Sequence, residues 1–180
     1  LLQSNVLHAF ATFLATHQNA IGVQGYIPFS IRGIENAINK ALMVTYYRQN
    51  KLAVRRSGAN VFPYSYPLTE EINAQRLSGC CMCYRRELFN ELNFDKNLKQ
   101  WGFMEDFDFS YRVFKKSPES LFAIPHAVIV HKGSTHSRLP SKTRVRMMIT
   151  YWFYVFFKDI FESSILNLIA FLWALTGNLI

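Results

Sequence analysis

Residues 163–180 carry no Lys, Arg, Asp or Glu, so every such charge of the chain lies before them. This division constrains the fold more than any other feature, because a run of that kind must be buried in protein or set against lipid. Its length is at the lower edge for a membrane span. Asn167, Thr176, Gly177 and Asn178 dilute its apolarity. Ahead of it, Arg138, Lys142, Arg144 and Arg146 lead into the almost wholly apolar, aromatic stretch 147–157, and Lys158, Asp159 and Glu162 interrupt the sequence before the uncharged run begins. A basic approach into Trp, Tyr and Phe suits a helix at an anionic membrane interface. A basic, then apolar helical tail over 142–180 is therefore expected to associate with a membrane, either spanning it or lying on it. The alternative is a helix buried against the rest of a domain.

The whole chain has 180 residues, half of them hydrophobic and 18% charged, against ~25% charged in ordinary soluble domains. Disorder, a coiled coil and a collagen-like chain are excluded. The net charge is +8. Residues 76–125 are nearly balanced, with 8 basic and 7 acidic residues, whereas 126–180 carry 6 and 2. A basic surplus suits nucleic acid, anionic lipid or a sugar nucleotide. No RNA-recognition aromatic signature, zinc-finger spacing or basic helix is present, so no nucleic-acid partner is expected. Cys80, Cys81 and Cys83 form an odd, clustered set, which reads as small residues on a buried strand in a reducing compartment.

Periodicity predicts an α/β order. Helices are expected over 1–17, 35–48, 85–92 and 105–116. Strands are expected over 21–27, 77–84 and 121–131, the last interrupted by Pro125, and strand into turn over 54–60. Loops are expected around Pro63 and Pro67, over 93–104 and over 132–141.

The densest chemical signal is Met104-Glu105-Asp106-Phe107-Asp108. Three carboxylates fall in the first turn of a helix, where the positive helix end stabilises anions. One reading is capping acids with an Asp108–Arg112 pair at i,i+4. The other is a carboxylate at a pocket wall serving as general base. Asp106 and Asp108 imitate a metal-binding D-x-D, but i and i+2 on a helix point about 200° apart, so the two cannot chelate one ion. His131 at a strand end is placed for ligation or phosphate contact.

In order along the chain stand Ser78-Gly79, Tyr84-Arg85-Arg86-Glu87-Leu88-Phe89, Asn93-Phe94-Asp95, Glu105-Asp106-Phe107-Asp108, Arg112, Pro125 and His131. This ordered set resembles the C-terminal half of the catalytic domain of family 2 inverting glycosyltransferases, with Asn93 where the family usually has Gly. The resemblance covers roughly 20–150. It implies an α/β fold, an incomplete Rossmann-like GT-A domain over 1–141 followed by the hydrophobic helical tail. The nucleotide-binding half, with its D-x-D, is then expected to lie outside this chain, whose ends both look cut.

The resemblance implies that Asp106 is the general base and that Glu105 orients it or a substrate hydroxyl. Gly79, with Ser78, allows close approach of a sugar, and Asp108 is placed with the substrate-binding residues. His131 stands near a divalent metal, Mg or Mn, on the diphosphate. Trp101 is assigned to sugar stacking from its residue type. The implied partners are a nucleotide-sugar donor and a glycan or lipid-linked acceptor, at the cytoplasmic face of the cell membrane. The competing expectation is a non-catalytic, membrane-associated carbohydrate-binding or scaffold module.

Overall fold

The computed structural model describes residues 5–28, 33–63, 68–99, 102–130 and 141–177. The fold is mixed α/β, built on two small mixed sheets. The first is organised around β1 (Gly22–Tyr26), whose five residues are all buried. On one side β1 pairs in parallel with β7 (Leu121–Val128), which is flanked in turn by the antiparallel β5 (Ile72–Asn73). On its other side lies the antiparallel β6 (Met82–Tyr84). A strand with neighbours on both edges and helices on both faces has no solvated side, hence the unbroken burial of β1.

The period of two along β7 sorts its side chains between two cores. Phe122 and Ile124 join Val23 and meet Val6, Phe10 and Phe13 of helix α1 (Val6–Thr16). Leu121 and Ala123 face the other way, toward Phe109 and Val113 of α3 (Glu105–Lys116). Each fully buried Phe or Val contributes roughly 1.5–3 kcal/mol.

The second sheet has the order β2 (Tyr46–Arg48), β4 (Asn60–Pro63), β3 (Ala53–Val54). Helix α2 (Gly33–Ala41) is tied to it by Asn36, whose side chain donates to the Tyr47 carbonyl at 2.9 Å and accepts from the Tyr47 N–H at 2.6 Å. Here the expected helix over 35–48 is corrected: it stops at Ala41, and 46–48 form a strand. Met43 takes a left-handed conformation (φ 58°) that breaks the helix. The following Val-Thr-Tyr-Tyr is β-branched and aromatic, which favours a strand. Two further corrections concern length. Only 82–84 of the expected strand 77–84 is strand, and 85–92 shortens to a 3₁₀ turn at Arg86–Asn90.

The C-terminal tail is helical but broken. α4 (Ser141–Val155) runs into a π-helical segment at Phe156–Ile160, and α5 (Ile165–Gly177) follows after Glu162 and Ser163, both at positive φ. Val155, Phe156, Ile160 and Phe171 pack with Phe107 of α3 and Leu98, and the Phe156 and Phe171 rings stack at 4.0 Å. Among the described residues no helix is long and apolar enough to cross a membrane.

Pro125 disrupts β7 as expected. Gly25 pairs with Ile124, but Tyr26 pairs with Val128, so three residues bulge out between them. The bulge presses the Ala127 carbonyl oxygen to 2.3 Å from where a Gly25 Cβ would sit. Gly25→Ala is therefore expected to destabilise the protein by about 3 kcal/mol, at the upper end for overpacking. Thermal unfolding should show Tm falling by roughly 6–12 °C, and an unchanged Tm would contradict this packing.

Candidate active site

Two left-handed residues, Gly102 (φ 62°) and Met104 (φ 70°), turn the chain sharply into α3. A left-handed Met is uncommon and costs on the order of 1 kcal/mol. The turn sets Glu105, Asp106 and Asp108 in the first helical turn. Glu105 lies over Gly102, where a Cβ would come within 2.4 Å of its carboxyl carbon. Burial, and then the neighbouring Asp106 charge, push the Glu105 carboxyl up from its ordinary value.

Asp106 faces the segment 77–81, expected as strand and found as a turn. Two side chains take up the N–H groups of that turn. The buried Gln24 of β1 accepts from Ser78 N–H at 2.7 Å, and Asp106 Oδ2 accepts from Gly79 N–H at 2.7 Å. A Cβ on Gly79 would sit 3.3 Å from that of Asp106. The second oxygen, Oδ1, accepts from Phe107 N–H at 2.8 Å. Arg76 Nη2 stands 3.8 Å from Oδ2, with the Arg76 side chain 6% exposed and that of Asp106 25% exposed.

Nothing in the sequence marks Arg76. It is a lone cation with no helical partner, and only the fold brings it to Asp106. It also donates to Asn60 Oδ1 at 3.3 Å and lies 5.1 Å from the centre of the Phe62 ring. Burial lowers its pKa, while Asp106, and after it Tyr84 and Cys80, act to raise it. Its Nε is buried with no partner among the described residues. The result is a carboxylate fixed by two amides and a guanidinium, with part of its surface open. Each carboxylate oxygen has two lone pairs, so a bound hydroxyl can still be accepted.

Asp108 is somewhere else. Its side chain is wholly buried, and Oδ2 accepts from Arg112 Nη2 at 2.7 Å and Nε at 3.1 Å. Oδ1 is paired with Lys158 of the π-helical segment, which also holds Asp95. The i,i+4 pair is as expected, but no surface of Asp108 remains for the substrate contact expected of it. Asp106 and Asp108 thus point to different partners, as the helical geometry requires.

Ser78, Gly79 and Asp106 are brought together, and Glu105 is adjacent in the same turn. Trp101 and His131 lie outside the described residues. Among the described residues no three His, Cys, Asp or Glu side chains converge as a metal site. No family model, curated protein or solved structure matches the chain.

Beside Asp108, the buried Asp159 carboxyl is pushed up to about 7, by burial first and then by the Asp108 carboxylate against it. Its Oδ2 has no hydrogen-bond partner among the described residues. A raised native pKa means that the folded protein holds this proton more tightly than the unfolded chain. The stability it contributes is present at low pH and is lost as pH rises through about 7.

Asp159→Asn supplies a permanent donor to Asp108, and is expected to stabilise the protein by about 1–3 kcal/mol at pH 8, with a smaller effect at pH 5. Denaturant melts at the two pH values measure this, and equal effects would contradict it. Asp108→Ala leaves Arg112 without its carboxylate and Lys158 with Asp95 alone, and should cost about 3–5 kcal/mol. The same melts should show it as a large loss at both pH values.

Proposed function

We propose that this chain is the acceptor-side part of an inverting glycosyltransferase, with Asp106 as general base. What carries the reading is the Asp106 carboxylate itself, one quarter exposed and braced by the Gly79 amide and Arg76. A base must be ionised, oriented and reachable, and this group has the fixing contacts and the open edge for it. The ordered motifs that resemble the family add to the reading. The finer Rossmann-like GT-A assignment belongs to this proposal, and the mixed sheet around β1 with helices on both faces is compatible with it.

In the proposed step an acceptor hydroxyl binds at the open edge of Asp106. Its oxygen attacks the anomeric carbon of a nucleotide-sugar donor as the bond from that carbon to the diphosphate oxygen breaks. The hydroxyl proton passes to Asp106, and the nucleoside diphosphate leaves. Glu105, held over Gly102, orients the acceptor. Ser78 and Gly79 line the approach, and Gly79 keeps the space before Asp106 clear of a side chain. Arg76 steadies the base by its charge. The reading expects Mg or Mn on the donor diphosphate, but the described residues do not form a ligand set that fits it. The acceptor is a glycan or a lipid-linked saccharide, and the place of work is the cytoplasmic face of a membrane.

The test uses the protein from its complete reading frame and follows acceptor-dependent release of nucleoside diphosphate across a panel of sugar nucleotides. Asp106→Asn is expected to lower turnover by about 10²–10⁴-fold while donor affinity stays within about twofold. Transfer at the parental rate by this variant removes Asp106 as base. Sugar binding with no transfer by the parental protein leaves the non-catalytic binding module instead.

A further inference from the structure

A cleft of about 490 Å³ opens between the second sheet and the C-terminal helices. Val44 and Ala59 line it from around β2 and β4, Phe103 and Met104 from the turn before α3, and Met148 and Trp152 from α4. Thr45 and Asn60 add polar groups, and no described residue lining it is charged. Its size falls within the range of small-molecule sites, about 300–1,000 Å³. Its walls suit a sugar or nucleotide poorly, because hydroxyls and phosphates buried there would lose water without enough partners. A hydrocarbon chain has no polar groups to desolvate and gains by leaving water for such walls.

A second, open space borders one face of α4 along Lys142, Val145, Arg146, Ile149 and Thr150. Val145 and Ile149, one helical turn apart on α4, line both spaces, so the two adjoin. Lys142 and Arg146 stand at i,i+4 on one helix face, where side chains are neighbours. Both are exposed, and no carboxylate among the described residues pairs with either. Two unneutralised cations side by side suit a phosphate group.

We infer that these adjoining spaces bind one phosphorylated lipid, its hydrocarbon chain in the apolar cleft and its phosphate on Lys142 and Arg146. Charge complementarity selects this occupant over a second copy of the chain, which would bring the same basic face and a net charge of +8 against those cations. The site stands independently of glycosyl transfer. It does place the lipid chain beside the carboxylate site, since Met104 immediately precedes Glu105 and Asn60 accepts from Arg76.

The full chain is titrated with dodecyl phosphate below its critical micelle concentration, following tryptophan fluorescence, since Trp152 lines the cleft. Dodecyl maltoside, with the same chain and a neutral head, and inorganic phosphate, with the head alone, are the comparisons. Saturable one-to-one binding of dodecyl phosphate is expected, with the maltoside at least about tenfold weaker and inorganic phosphate without effect at the same concentrations. Met148→Glu places a charge on a half-exposed wall of the cleft and should weaken dodecyl phosphate by about tenfold or more.

Lys142→Glu with Arg146→Glu alters only exposed side chains and should abolish the preference for the phosphate head. Circular dichroism confirms that each variant is folded, and the double variant carries the test if Met148→Glu is not. Equal affinity for the two detergents overturns the inference, as does a double variant that keeps the preference. A lipid-free dimer that Met148→Glu dissolves overturns it too, by showing that a second copy covers the cleft.

Discussion

Asp108 carries its charge at zero exposure, and the joint between the α/β body and the C-terminal helices depends on how that charge is met. Arg112 meets it from the same helix and Lys158 from the π-helical segment. Lys158 reaches on to Asp95, where burial works to raise the carboxyl while hydrogen bonds from Lys158, Asn97 N–H and Tyr154 together hold it below the usual carboxylate range. Lys115 caps the same region by donating to the Asp159 carbonyl at 2.9 Å. Removing either partner of such a buried pair costs more than the pair contributes, because the other charge is left without water. The segment 156–160 is thereby fixed in register on α3, and Phe107, Phe156 and Phe171 close over the seam as its apolar counterpart.

With α3 held from behind, its first turn is a rigid platform. Phe109 and Val113 anchor one side of the helix in the sheet core and Phe107 anchors another against the tail, so Asp106 has little freedom of its own. Its carboxylate is then aimed by contacts from two more elements, the 77–81 turn and Arg76. The turn is held in its own right by Gln24 in the wholly buried strand β1. A group expected to receive a proton needs this kind of support, since a small displacement of the base lengthens the hydrogen bond on which the transfer depends.

Much of this was legible in the residues. The helix at Glu105–Lys116 was bounded correctly because acids begin it, lysines end it and apolar residues recur at helical spacing. The α1 and β1 elements were equally plain, and Pro125 announced the break in β7. The failures share a physical cause. Residues 77–81 are small and apolar like a strand, yet Gln24 and Asp106 compete for their N–H groups, and neither competitor is near in sequence. The helix expected to run to Arg48 stops because Met43 adopts a backbone conformation that its residue type does not announce. Arg76 and Asp159 differ in how far the sequence marks them. Arg76 stands alone, whereas Lys158-Asp159 is a charged pair within a greasy run, a pattern that does signal a buried ionic contact.

The uncharged run shows how one sequence property serves two environments. A single straight helix through it would bring all its apolar residues into one rod, but Glu162 and Ser163 at positive φ cut it off from α4. The remaining α5 has 13 residues, about 20 Å at 1.5 Å per residue, against a hydrocarbon layer of about 30 Å. Ala170, Phe171 and Ala174 turn inward, and Trp173 donates to the Ala41 carbonyl at 2.9 Å, tying α5 to the end of α2. Ile165, Leu166, Ile169 and Leu172 remain more than half exposed on its outer side. The run is thus apolar all round: one face completes the core of the domain while the other remains exposed. An isolated surface helix with the same inner face would carry charges on its outer one. Keeping the outer face apolar has a cost in solubility, which the proposed position at a membrane face, beside the basic residues of α4, would remove without the helix crossing anything.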